Sequence, residues 1–177
     1  MSTRNLILGA TLLMLGCATS PPGTTELRTV SKVELDRYLG KWYEIGTIPA
    51  WFQKGCVGVT ASYSLREDGD IRVENTCRDQ SLDGPQSSVV GRAWVTDHAS
   101  NAKLDVQFFW PFYGAYWVIE LDPDYRYAVV GHPSRDYLWV LSRTPQMSDA
   151  LYGELLERAR QQGYDITKVQ RTPQPAF

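Results

Sequence analysis

Eight short runs of alternating apolar and polar residues follow one another along this chain, with no helical stretch between any two of them. They begin at Trp42-Tyr43-Glu44-Ile45 and continue at residues 57–65, 71–77, 87–95, 102–109, 116–121, 127–131 and 137–143. In the second run Val57, Val59, Ala61, Tyr63 and Leu65 alternate with Gly58, Thr60, Ser62 and Ser64. That period of two places successive side chains on opposite faces of a strand. Turn residues mark the joints, among them Asp68-Gly69, Asp83-Gly84-Pro85, Ser100-Asn101 and Asp122-Pro123-Asp124. A parallel pair needs a long crossover, usually a helix, whereas an antiparallel pair closes through a tight turn. The chain therefore reads as an antiparallel meander. Left open, such a sheet has two bare edges; closed into a barrel, it has none and encloses a space for side chains or one small ligand. The expected fold is all-β, an eight-stranded antiparallel up-and-down barrel.

Helical signals occur in two places. Ser31-Lys32-Val33-Glu34 has the form of a capping box. It predicts a short helix carrying Val33, Leu35, Tyr38 and Leu39, stopped by Gly40, where a helix end commonly needs positive φ. The longer signal covers residues 148–162. Ser148 is its cap, Asp149 sits in the first turn and Gly163 is its stop. Leu151, Tyr152, Leu155, Leu156 and Ala159 form one stripe, which predicts a helix packed outside the barrel. Residues 164–171 have weak strand character and end in an extended Thr172-Pro173-Gln174-Pro175. Between Gly46 and Gly55, Pro49 and the pair Trp51-Phe52 interrupt the alternation. This segment reads as a long loop lying across the barrel mouth as a lid.

The first sixteen residues read as a targeting segment. Arg4 supplies a positive start, and residues 6–15 form an apolar stretch too short to span a bilayer. The segment ends in Leu13-Met14-Leu15-Gly16-Cys17, a small residue followed by cysteine, similar to a bacterial lipoprotein signal. On that reading residues 1–16 are removed and Cys17 carries lipid. Residues 17–30 then make a tether, and residues 31–177 the domain. Ala18 after Cys17 points to the outer membrane, on its periplasmic face.

With Cys17 assigned to lipid, Cys56 and Cys77 remain. They lie near the far ends of two strands joined by the Asp68-Gly69 turn, offset by a few residues that a bulge can absorb. An exported compartment preserves disulfides, so a Cys56–Cys77 bond is expected. The chain has only two histidines. His98 lies in a polar turn and His132 precedes Pro133, so both are expected at the surface. No Cys/His spacing suits a metal, and neither Gly-x-Ser-x-Gly nor a glycine-rich phosphate loop is present. The net charge of −2 supplies no basic face for nucleic acid. No catalytic residue, cofactor or metal is expected.

Three separated stretches carry a resemblance. Gly40-Lys41-Trp42, Asp122 to Tyr125, and Leu141-Ser142-Arg143-Thr144-Pro145 resemble, in order and separation, the three signature regions of the lipocalin family. Trp42-Tyr43-Glu44-Ile45 and the Leu-Ser-Arg-Thr-Pro wording are similar to the bacterial, apolipoprotein D-like branch. Asp122-Pro123-Asp124 departs from the wider family's Thr-Asp-Tyr, which argues against this loop as a receptor contact. The resemblance runs from Val33 to the C-terminal strand. It implies that Arg143 closes the barrel over Trp42 by a cation–π contact, with Gly40 beside them. It also implies that Glu44, Tyr63, Asn75, Phe108, Tyr116 and Trp139 face the interior as ligand-binding residues. Glu44 is costly in an apolar interior unless partnered; it is expected to be neutral or hydrogen-bonded to Tyr63 or Tyr116, and a contact to a ligand head group is the role expected of it.

The expected function is an outer-membrane-anchored lipocalin. It would hold fatty acids or lysophospholipids in the barrel, head group near the mouth, for lipid storage or transport in the cell envelope. The alternatives are a filled barrel acting as a structural or interaction module through Trp110-Pro111-Phe112-Tyr113, and, further off, a lipid-modifying enzyme. The aromatic loops leave a homodimer open.

Overall fold

The computed structural model describes residues 26–176. The expected signal peptide and the lipidated Cys17 lie outside them. Strands β1 (Gly40–Thr47), β2 (Cys56–Leu65), β3 (Ile71–Asp79), β4 (Gln86–Val95), β5 (Lys103–Phe109), β6 (Phe112–Leu121), β7 (Tyr127–Gly131) and β8 (Leu138–Ser142) pair antiparallel in sequence order. β1 pairs with both β2 and β8, which closes the barrel. The hairpin turns alternate between two ends. At one end lie Gly40, Arg143 and the β2–β3, β4–β5 and β6–β7 turns; at the other lie the β1–β2, β3–β4, β5–β6 and β7–β8 connections.

Inner-facing side chains build one core, with Trp42, Tyr63, Val73, Leu104, Val118 and Leu141 among them. A second core forms outside the wall, where helix α2 (Asp149–Gln161) lays Tyr152, Leu155 and Ala159 against Ile45, Val129, Leu138 and Val140. Ser148 caps α2 by accepting from Leu151 N–H, and Gly163 follows it with φ +91°. Alternation turns Ile45 outward, and a bulge in β1 turns Gly46 outward as well: Glu44 pairs with Leu141 and Gly46 with Val140, leaving Ile45 unpaired. Gly46 lies directly under Tyr152, where a Cβ would sit 2.3 Å from the phenol oxygen.

Several sequence expectations change. The capping box at Ser31 is not used: helix α1 spans Leu35–Tyr38, with Glu34 at its N-cap position and no side-chain cap. Val33 N–H instead donates to Ser100 O at 2.7 Å, which pulls the would-be first turn onto the barrel. Gly40 does stop that helix, at φ +91°. Residues 27–30, expected in the tether, pack on the barrel instead. Leu27 is buried, Arg28 N–H donates to Gln162 Oε1 and Val30 N–H to Val118 O. β6 starts at Phe112 rather than Tyr116, because Trp110-Pro111 forms a tight hairpin tip instead of a loop.

The C-terminal segment also differs. Only β9 (Gln170–Arg171) is strand, paired with Gly46 and Thr47 of β1. Beyond it, residues 172–174 fill the gap where β1 and β2 part. Thr172 N–H donates to Ile45 O, Gly58 N–H donates to Pro173 O, and Gln174 Nε2 donates to both Glu44 O and Val59 O. The Cys56–Cys77 disulfide is present, with Cα atoms 5.4 Å apart. The offset is absorbed by a bulge between Val57 and Thr60, where Gly58 takes φ +58°.

Candidate functional site

Gly40, α1 and the ends of β6 and β8 converge on one end of the barrel. The Arg143 guanidinium lies 3.8 Å from the centroid of the Trp42 ring. It donates to the carbonyls of Arg37 (2.7 Å), Lys41 (3.0 Å), Tyr38 (3.3 Å) and Tyr125 (3.3 Å). The fork of N–H groups suits several carbonyls at once, and the flat face suits an indole. Trp42 is fully buried and donates Nε1–H to Tyr38 O at 2.8 Å. Gly40 fits because a Cβ there would meet Arg143 at 3.4 Å on a positive-φ backbone. Asp122, buried between β6 and β7, accepts from the backbone N–H of Asp124 and Arg126 and grips the Arg126 side chain bidentately. Those donors hold its carboxyl below the usual range, the Arg126 side chain most of all. The turn so fixed presents Tyr125, whose ring stacks under Arg37 and whose oxygen accepts from Glu34 N–H. The three signature stretches therefore meet and seal this end.

Above the seal, three tyrosines bridge the lumen. Tyr116 on β6 contacts the Tyr38 hydroxyl at 2.8 Å and the Tyr63 hydroxyl at 2.9 Å. β2 and β6 stand four strands apart in a ring of eight, so the Tyr63–Tyr116 bond spans the barrel's diameter. Burial raises all three hydroxyl pKa values, Tyr63 to about 12, so each keeps its proton. The void lined by this triad, Val73, Leu104 and Val118 is about 10 Å³ and apolar. That is near the threshold for a single water. The sealed end is thus filled, and the tyrosine crossbar is the floor of any ligand chamber.

From crossbar to mouth the inner wall is different. Asn75, Val89, Gly91, Phe108 and Trp139 are only half-buried although they face inward. Gly91 makes room for Phe108, whose ring would meet a Cβ there at 2.7 Å. Tyr137 stacks flat on Trp139, their planes 7° apart. From Cys56 to Tyr63, this part of the wall is roughly 18 Å tall for strands tilted by about 40°.

Glu44 is inward and buried at 4% exposure, but its partners are not the expected tyrosines, which bond one another. Thr172 Oγ1 donates to one carboxylate oxygen at 2.5 Å and Gln53 Nε2 to the other at 3.0 Å. Gln53 Oε1 in turn accepts from Trp139 Nε1 at 3.2 Å. Burial raises the Glu44 pKa, and the two bonds oppose that shift. The lid segment is anchored by this amide, while Trp51 and Phe52 beside it stay exposed. His98 is exposed, whereas His132 is half-buried, bonded to Ser134 and packed on Tyr137. Tyr38, Gln53, Thr172 and Gln174 were not legible as site residues. Tyr38 had a faint signal as the last large residue before Gly40; the other three are polar residues in irregular segments, with no period to place them.

The architecture defines a class: an eight-stranded up-and-down barrel, sealed at one end by an arginine on a tryptophan and carrying one external helix. A family model described as a lipocalin-like domain matches residues 33–174. The outer membrane lipoprotein Blc of Escherichia coli K12 is 44% identical over 168 residues, covering 94% of this chain and 93% of that one. Temperature-induced lipocalin-1 of Arabidopsis thaliana is 42% identical, covering 84% and 83%. Apolipoprotein D of Mus musculus is 36% identical, covering 90% and 84%. Among solved structures, insecticyanin from the tobacco hornworm superposes with a TM-score of 0.68 at 17% identity over 88% of each chain. The chain belongs to the lipocalin family.

Proposed function

We propose that this protein is a lipid carrier of the bacterial envelope. It holds a fatty acid or lysophospholipid with the acyl chain above the tyrosine crossbar, against Phe108 and Trp139, and the head group at the mouth. The observation that carries this is the inward, apolar and half-buried wall between crossbar and rim. An apolar concavity with few polar groups is the usual character of a small-molecule site. Between crossbar and rim the inner face carries the Glu44 acid, and the half-buried base in the wall, His132, packs on Tyr137 at the rim. A phosphate or carboxylate therefore stays outside, near the lid and the β3–β4 turn. The relative named an outer membrane lipoprotein supports placement at the outer membrane through a lipidated Cys17, on the periplasmic face.

The test is titration of delipidated protein with a fluorescent fatty acid, followed by displacement with oleate and with lysophosphatidylethanolamine. Saturable, competed binding at one site per chain is expected; no saturable binding by either lipid refutes the reading. A Cys17→Ser variant is expected to move from the membrane fraction to the soluble periplasm. A second reading, an interaction module, is favoured by one observation: Phe109, Trp110, Phe112 and Tyr113 are all more than half exposed on the β5–β6 tip. Contiguous exposed aromatics mark contact surfaces, and a homodimer through this tip would appear in native mass spectrometry.

A further inference from the structure

Two unmet hydrogen-bonding groups belong to neighbouring residues of the barrel's inner face. The first is a proton. Tyr38, Tyr116 and Tyr63 carry three hydroxyl protons but make two contacts, and each contact uses one. Among the described residues these hydroxyls have no further partner, so one proton is left without an acceptor. The second is an acceptor. Asn75 Oδ1 is buried on the inner wall with no partner. Turning the amide over leaves a buried N–H₂ in its place, so the deficit stands either way. Asn75 pairs with Ala61, and Tyr63 with Val73 on the same two strands. The two residues are thus diagonal neighbours on one face, about 7–8 Å apart at Cα, within reach of long side chains.

A buried polar group left unpaired is costly, and sites that keep such groups discriminate strongly for the ligand that satisfies them. One uncharged group that both donates and accepts meets both deficits. A carboxylate accepts only, and would add a negative charge near Glu44. A methylene meets neither.

We infer that the acyl chain this barrel prefers bears a hydroxyl in its buried part, donating to Asn75 Oδ1 and accepting the spare proton of the tyrosine crossbar. This rests on the carrier reading and narrows its ligand class to hydroxylated acyl chains. Asn75 is then the specificity-determining residue, and the crossbar sets how far down the chain the hydroxyl lies.

The probes are stearate and hydroxystearates carrying the hydroxyl near the head, at mid-chain or near the tail, measured against delipidated wild type, Asn75→Leu and Asn75→Val. One hydroxystearate is expected to bind about tenfold more tightly than stearate, equivalent to about 1.4 kcal/mol. In Asn75→Leu the ratio of hydroxystearate to stearate affinity falls to near unity, whichever way stearate affinity itself moves; Asn75→Val, a good strand former, reports the same if Leu fails to fold. Equal affinity for stearate and every hydroxystearate overturns the inference, as expected of a resident water serving both groups, and leaves the carrier reading intact. A preference unchanged in both Asn75 variants also overturns it. Failure of stearate and all its derivatives to bind removes the carrier reading and this inference together.

Discussion

Replacing Arg143 by Met removes the seal while keeping an unbranched apolar stem over Trp42. The two shorter bonds, to Arg37 O and Lys41 O, are charge-assisted, each worth about 1.5–3 kcal/mol net. The cation–π contact adds about 0.5–2 kcal/mol. Arg143 is half-buried, so water reaches part of what it leaves, and surface screening discounts the sum. The expected loss is about 3 kcal/mol, a fall in Tm of roughly 6–12 °C for a chain of this size. Arg143→Lys keeps the charge but loses the fork, so it should recover about 1 kcal/mol of that. Urea unfolding followed by tryptophan fluorescence measures both, and stearate affinity should change little because the crossbar separates Arg143 from the chamber. A Met variant within about 1 kcal/mol of wild type, or a Lys variant equal to wild type, would refute the seal as the organising contact. Intact stability with lost stearate binding would refute the crossbar as the chamber floor.

Glu44→Gln tests the buried acid. Because burial raises its folded-state pKa above the usual 4.5, the native state holds the proton more tightly. Glu44 therefore contributes stability below that range and loses it as pH rises through the raised value. Unfolding free energies of wild type and variant should diverge over that window in the variant's favour; parallel curves would show no such shift. Gly46→Ala drives a methyl into the buried Tyr152 ring and should cost about 1–3 kcal/mol. Adding Tyr152→Phe, which deletes a buried hydroxyl that has no partner, should restore part of that loss by thermal melting. Replacing Cys56 and Cys77 together by Ser opens a link across 21 positions and should cost about 3 kcal/mol, read by urea unfolding with and without reductant.

Much of this molecule was legible along the chain. Period-two alternation and Asp-Gly or Asp-Pro turns report local backbone geometry, so strand identities and order could be read, with bounds off by as much as the four residues from Phe112 to Tyr116 at the start of β6. Ser148 and Gly163 likewise bounded the outer helix, and counting from the Asp68-Gly69 turn found the disulfide. The capping box at Ser31 misled because a tertiary bond, Val33 N–H to Ser100 O, outcompeted a local one.

The sequence by itself determined the strands and their antiparallel order, since these follow from short-range pattern; the meeting of Gly40, Trp42 and Arg143 was implied by the resemblance to lipocalins, and the structure shows it. Tertiary structure alone decided the depth of the chamber, the partners of Glu44 and the place of residues 172–174. Those depend on groups that meet inside a closed wall, Tyr63 and Tyr116 from 53 residues apart and Glu44 and Thr172 from 128, where burial makes every unpaired donor or acceptor costly and no local period records who answers it.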